Sequence, residues 1–486
     1  MTDRIPARLA QVPKSVVIGV AGVLISFVAV TSFIAVTLPP KGAADSIYHL
    51  DYIQHVENGQ LPSAYGSDYS PADSSLADDV RHPTSAHPPL FYLLGAGLTD
   101  IGGSDWQSEI ITLRSLNIFI GSLTVLVLAY AGWKFGGKYK EKMAVAVPAT
   151  GAMLVPFLVT VGDIYNDPLV VLLSSMALTT TGLIVTKGPS GRRLFSLAII
   201  CGLGMFAKAS FLATLVMALV GVGIGIFINS KKPTKTQIFM TIRYLLTVIV
   251  AVAASSGWYY FRNFMRSGSW HRAAAKEPIV GRVEQSFTDV ITNTDLYSVL
   301  PEKLLGIRRW DGVLSINFFL SWLIFTGCLL GLIMVARNYK PPKSIPEIKN
   351  RPHVALIILL VLFGGLLYGQ QLQHAVGWGN INPRYFMTAI LPIGMFLGLG
   401  AIGLRMKGQA VSLLLIIFSL GAVMQQAWYL SSRYSEIVAS SPFDRLLISA
   451  SNNGYNSISI WTLSWLLMIG VAMVAWSMWS AKPSHN

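Results

Sequence analysis

The sequence predicts an all-α integral membrane protein with about twelve transmembrane helices and juxtamembrane helices in its first external loop. Three observations predict it. Only 12% of the 486 residues are charged while 53% are hydrophobic, where a soluble chain carries about 25% charged residues. Apolar runs near 20 residues recur from one end to the other, the length that crosses a hydrocarbon core of roughly 30 Å. Lys and Arg also collect in alternate connecting segments, as insertion with the positive segments inside demands.

Spans are expected near residues 16–38, 110–133, 144–161, 166–184, 194–207, 209–229, 243–260, 313–335, 354–373, 385–403, 410–430 and 458–479, the fifth being short. The run at 15–40 follows Arg4, Arg8 and Lys14, and its length and the spans behind it fit an uncleaved first helix rather than a signal peptide. With the N-terminus inside, the cytoplasmic segments include KFGGKYKEK, KGPSGRR, KKPTKT, RNYKPPKSIPEIKNRP and RMK. They hold 22 Lys and Arg against 3 acids, and the external segments hold 15 against 20, which together make the net charge of +14. Residues 89–99, PLFYLLGAGLT, are too short to span, and counting them as a crossing would reverse nearly every later basic loop. They read as a short helix in the outer interface.

External regions then cover about 39–109, 261–312 and 431–457, while the cytoplasmic loops are short. This places the working surface outside. Residues 1–430 form the multispanning module, and 431–486 add an external loop, the last helix and a short tail. The basic residues sit in short loops with no extended basic domain, so nucleic acid is not the expected partner. Cys201 and Cys328, the two cysteines, lie in apolar stretches and argue against a disulfide or a Cys-rich metal site. HExxH, GxSxG and Gly-rich phosphate loops are missing.

The candidate chemistry lies at the external boundary. In KGAADSIYHLDYIQHVENGQLP, a helix over 44–57 puts Asp45 and His49 on one face, and Asp51 and His55 likewise. An acid just past the first span suits a base working at the interface; ordinary i,i+4 pairing is the plainer reading. Asp45 and His49 with one distant ligand would hold a divalent metal ion. In DDVRHPTSAHPPLFYLL, His82 and His87 precede Pro88 and Pro89, which stiffen the start of the interfacial helix. Either His suits a phosphate or a satisfied loop.

Asp163 and Asp167 bracket a tight turn in VGDIYNDPLVVLLSSM, where Asn166-Asp167-Pro168 can also cap the following helix. Lys208 occupies the break in GLGMFAKASFLATL, facing a phosphate, a carboxylate or simply water. Arg114, Arg384 in GWGNINPRYFMTAILP, and Arg262 and Arg266 in GWYYFRNFMRSG fall on the same side. Together these charges suit a polar cleft for an anionic lipid substrate.

Four stretches carry a resemblance: ADSIYHLDYIQHVENGQLP after the first span, HPPLFYLL before the second, YNDPLVVLL at the fourth, and GLGMFAKAS followed by NPRYFMTAILP. In their order the chain resembles the superfamily of multispanning glycosyltransferases that use polyprenyl-phosphate sugars, including protein O-mannosyltransferases and lipid A aminoarabinose transferases. The resemblance implies a GT-C-like architecture in a bacterial cell membrane, with both termini cytoplasmic and the active face external. It implies inverting transfer from a polyprenyl-phosphate sugar to a glycan, lipid or protein acceptor. Asp45 matches the Asp of the acidic motif in the first external loop, and Asp167 the later Asp. His49, His87, Arg114, Lys208, Arg262 and Arg384 are then candidates for binding the substrate. Some members use a divalent metal ion and others none. Ser46 stands where a second acid is common, which leaves metal use and activity open. A flippase or transporter of an amphiphile and a non-catalytic lipid-binding or assembly protein are the other readings.

Overall fold

A computed structural model describes residues 12–40, 42, 45–62, 84–102, 105–230, 233–270, 285–294, 302, 305, 316–337, 339, 341–378, 382–406, 408–434, 437, 439 and 441–481. Among these residues all regular structure is helical. After the apolar α1 (Lys14–Thr37) come two short helices, α2 (Ser46–Glu57) and α3 (Leu90–Gly102). They pack on each other, Ile53 lying where a Cβ on Gly95 would meet it at 2.9 Å. α3 is the expected short helix over 89–99, and α2 and α3 stand outside the long spans. α4 (Trp106–Phe135) starts behind Asp105, whose carboxylate accepts from the N–H groups of Gln107 and Ser108 at 3.1 and 3.0 Å. Those donors would otherwise be open at a helix start.

The next pair, α5 (Lys140–Gly151) and α6 (Val155–Val161), is bent by 69°. Then follow α7 (Asp167–Lys187), α8 (Gly191–Ala207) and α9 (Leu212–Asn229). α10 (Thr234–Val252) runs through a π turn into α11 (Trp258–Ser267). The remaining helices are α12 (Phe287–Thr292), α13 (Ile316–Ala336), α14 (Ile345–Lys349), α15 (Pro352–Trp378), α16 (Ile390–Gly403), α17 (Gln409–Arg433), α18 (Pro442–Asn452) and α19 (Ser457–Ser480).

Ten helices among the described residues are long and apolar enough to cross a membrane, or up to eleven with the bent pair counted as one span. The sequence count of about twelve included 194–207, which is α8, at 17 residues shorter than the rest. Its ends nevertheless meet both ends of α7. Arg193 donates to the Lys187 and Gly188 carbonyls at one end (3.2 and 2.6 Å), and Lys208 reaches Asp167 at the other (2.8 Å). The expected span at 144–161 is the bent pair. Pro156 opens α6, and the Thr150 hydroxyl donates to the Gly394 carbonyl at 3.0 Å. The external loop expected over 261–312 lies mostly outside the described residues, and its first turns belong to α11.

Apolar surface faces outward on a scale that only lipid accommodates. The continuous helix Thr234–Ser267 is buried over just 6% of its most apolar window, and Ile238, Phe239, Ile242, Leu246 and Val250 point away from the protein. Inward faces instead close through small residues. A Cβ on Gly22 of α1 would stand 2.7 Å from the Gly470 carbonyl oxygen of α19, so the two backbones touch, as membrane helices pack. The protein is an all-α, multi-spanning membrane protein with additional helices outside the bundle.

Candidate active site

The segment presenting Asp45 is anchored before the site is reached. The last carbonyls of a helix lack intrahelical partners, and those of α1 are taken by tertiary side chains. Arg114 donates to the oxygens of Ala35, Leu38 and Pro39 at 2.8, 2.8 and 2.7 Å. Asn453 donates to Val36 and Leu38 at 2.9 Å each, and Ser449 to Thr37 at 2.6 Å. Gly42 then turns with φ +67, where a Cβ would approach Asp163 Oδ1 to 2.8 Å; glycine alone suits both demands. Its carbonyl accepts from the Tyr434 hydroxyl at 2.7 Å. Ser46 opens α2 by donating to buried Asp163 at 2.7 Å.

Asp45 is the N-cap of α2, yet its side chain makes no capping bond. Instead it accepts from Arg384 Nη2 at 2.8 Å. Arg384 is held where a 3-10 turn begins: Pro383 occupies the first position, and Asn382 Oδ1 accepts the Arg384 N–H at 3.1 Å. At the start of α7, Asn166 and Asp167 were expected to cap, but they make no side-chain cap. They turn to Lys208 Nζ, which donates to Asn166 Oδ1 at 3.1 Å and to Asp167 Oδ1 at 2.8 Å. A cation desolvated at the break between α8 and α9 outcompetes a neutral backbone donor for those oxygens. Pro168, with no N–H to satisfy, makes the missing cap cheap.

Two acids thus face two cations. Lys208 and Asp167 are buried, whereas the Asp45 side chain is 36% exposed and Arg384 19%. Asp167 Oδ2 and Arg384 Nε lie 3.7 Å apart, too far for a hydrogen bond. Neither has a hydrogen-bond partner among the described residues, and Asn166 Nδ2 has none either. The cluster therefore holds buried donors and an acceptor whose bonding capacity is not used among the described residues.

An aromatic shell backs the ions. The Arg384 guanidinium lies 5.0 Å from the Tyr165 ring, and Lys208 Nζ 5.8 Å from the Tyr385 ring. His49 sits edge-on to Tyr165 at 5.2 Å, with its Nδ1 2.9 Å from the Tyr92 hydroxyl, and stacks near His87 at 6.1 Å. Tyr52 stacks on Tyr92 and donates to the His87 carbonyl at 2.9 Å. Burial holds the hydroxyls of Tyr52, Tyr92 and Tyr165 well above the usual tyrosine pKa, so they remain proton donors.

Of the residues singled out in the sequence, the structure brings Asp45, Asp167, Lys208 and Arg384 together, with His49 and His87 in the adjoining shell. Arg114 is elsewhere: its amino groups serve the end of α1, and Asp163 lies 3.7 Å from Nη2. Arg262 lies over Tyr259, at the far end of the chain through Tyr52 and Tyr92. Arg266 is exposed, Asp51 pairs with His55 at 3.8 Å, and His82 lies outside the described residues. Sequence reasoning passed over Tyr165, Asn166 and Tyr385 as members of the cluster, although each lies within two residues of a charge in a quoted stretch. Tyr92 belongs to the stretch that read only as a short interfacial helix, and the Ser46–Asp163 bond left no sequence signal.

The donor set does not fit a divalent cation. Asp45 is spent on Arg384, His49 on Tyr92 and Asp167 on Lys208. Among the described residues no three His, Cys, Asp or Glu side chains converge. A dication there would also face two fixed positive charges.

No family model matches the chain, and no curated protein matches it. Among solved structures it is similar to ArnT from Cupriavidus metallidurans bound to undecaprenyl phosphate, at 14% identity and a TM-score of 0.46, over 96% of this chain and 75% of that one. The apo state of that protein gives the same identity and score, with 74% of its chain covered. The Archaeoglobus fulgidus oligosaccharyltransferase in complex with zinc and sulfate is similar at 12% identity and a TM-score of 0.40, over 88% of this chain and 53% of that one. These are distant likenesses of helix arrangement, and the chain stands as an all-α, multi-spanning membrane protein whose buried ions gather at one end of its bundle.

Proposed function

We propose that this protein is a glycosyltransferase that moves a sugar from a polyprenyl-phosphate donor to an acceptor hydroxyl at the external face of the membrane. One observation carries the reading: a half-open carboxylate, Asp45, stands with the partly buried Arg384 and the buried Lys208 where Arg384 Nε, Asp167 Oδ2 and Asn166 Nδ2 lack partners among the described residues. That arrangement supplies a base and an anion site within one cluster. The order of the four resembling stretches supports it. The side assignment rests on charge: α7 runs from Asp167 to Lys187 and α4 from Trp106 to the Lys134 turn, so the basic ends lie opposite the cluster.

In the reaction, Asp45 takes the proton of the acceptor hydroxyl as its oxygen attacks the anomeric carbon. The bond from that carbon to the phosphate oxygen breaks, and the lipid phosphate leaves with the bonding pair. Arg384 and Lys208 stabilise the charge that grows on it. Arg384 spends Nη2 on Asp45 and keeps Nε for the phosphate, so one guanidinium orients the base and meets the donor. Asp167 fixes Lys208, and Tyr165 and Tyr385 hold the two cations from behind.

Sugar transfer or release by the purified protein, offered a panel of polyprenyl-phosphate sugars, tests this. Turnover with at least one donor, undiminished by EDTA, is the expected result. Binding of polyprenyl phosphate without turnover of any donor would replace the reading with a binding or transport protein.

A further inference from the structure

We infer that a cavity beside Arg114 is a separate lipid site, taking the phosphate and upper chain of an anionic phospholipid. The cavity has a volume of about 230 Å³ and lies between α1, α4 and the turn joining α18 to α19. Asp45, Asp167, Lys208 and Arg384 are not among its walls, so it is distinct from the cluster already described. Its lining mixes polar and apolar side chains along its length, with Arg114 and Ser115 between Ile111 and Ile118. Asn452 and Tyr455 stand at the boundary end, and Ile118 lies twelve residues along α4 from Trp106, roughly 18 Å deeper. Ile111 is 41% exposed, and Ser115 beside it is exposed, so the cavity opens sideways onto the lipid-facing surface.

A mixed polar and apolar lining with a lateral opening fits an amphiphile delivered from the bilayer. The volume is below the roughly 300–1,000 Å³ of sites that enclose a whole small molecule. The cavity therefore takes one part of a lipid and leaves the rest in the membrane.

Arg114 sets the class of headgroup. The residue is 5% exposed and lines the cavity. Its amino nitrogens are satisfied by Ala35, Leu38 and Pro39, while its Nε has no hydrogen-bond partner. A desolvated guanidinium with a donor left over calls for a charged acceptor, and a phosphate oxygen matches it best. The same guanidinium lies 3.7 Å from Asp163, which accepts from Ser46, the neighbour of Asp45. A lipid seated here would steady the anchoring of the Asp45 segment. The inference does not depend on the proposed reaction.

Native mass spectrometry of the detergent-solubilised protein, given equal amounts of dioleoylphosphatidylglycerol and dioleoylglycerol, tests it. The parent should retain one dioleoylphosphatidylglycerol in at least tenfold preference over dioleoylglycerol. Arg114→Gln should lose the preference. Should that variant fold poorly, Ser115→Trp, which fills the mouth from an exposed position, should cut retention about tenfold. Equal retention of both lipids, or retention unchanged in Ser115→Trp, overturns the proposal. Displacement of the lipid by millimolar inorganic phosphate overturns it too, because the site would then read a free anion.

Discussion

Asp163 with Arg114 and Asp45 with Arg384 are two acid–arginine pairs at the same boundary of one bundle, and they are built in opposite ways. Asp163 and Arg114 are 0% and 6% exposed, and their bonds to Ser46 and to the carbonyls ending α1 belong to the protein's own frame. Asp45 and Arg384 are 36% and 19% exposed, and Arg384 keeps an unpaired Nε beside an unpaired Asp167 oxygen. The closed pair is given to holding position, apart from the one unpaired donor, Arg114 Nε. The open pair retains unused bonding capacity, as a group that exchanges partners must. The two pairs are joined through adjacent residues, because Ser46, bonded to Asp163 of the closed pair, follows Asp45 directly. The scaffold is bolted to the segment that presents Asp45.

Stability should separate the pairs, starting with the largest effect. Asp163→Ala leaves Arg114 buried without its counter-ion and Ser46 without its acceptor. Breaking a buried pair costs about 3–5 kcal/mol, so its unfolding in detergent should shift sharply downward. Asp167 and Lys208 occupy the middle ground, buried but next to the open space. Lys208→Met should cost about 3 kcal/mol, and adding Asp167→Leu should recover a measurable part, because the second change removes the stranded charge. A double-mutant cycle on unfolding midpoints reads that coupling. Ser46→Ala removes one neutral donor from a carboxylate that keeps Arg114, so about 1 kcal/mol is expected. A loss as large as that of Asp163→Ala would mean that Ser46, not Arg114, anchors Asp163.

The fold was legible where composition alone decides. Long apolar helices and the alternation of basic loops follow from the cost of charge and open backbone in lipid. The bend at 152–154 carried one signal that the expected span overrode, since Pro156 has no N–H to donate to the Ala152 carbonyl. It arises where Gly151 meets α16, a Cβ there standing 3.0 Å from the Ile390 carbonyl oxygen. For the site, the sequence identified Asp45, Asp167, Lys208 and Arg384 as charges sharing one boundary, because charge at a span end is conspicuous. It left the partners open. Ser46 and Asp163 are 117 positions apart, and only the packing of α2 against the turn after α6 joins them. Arg114 was grouped with the binding residues for the same reason: its bonds to the α1 carbonyls are set by tertiary approach, which no local pattern encodes.

The central claim, that Asp45 is the working acid and not part of the frame, is tested most directly by measuring turnover and unfolding together in Asp45→Asn. Half-exposed pairs contribute about 0–1 kcal/mol, so the variant should unfold within that margin of the parent. Its transfer rate with the donor accepted by the parent should fall by about 10²–10⁴, the share a general base supplies. An Asp45→Asn protein that folds normally and turns over at the parental rate would contradict the account.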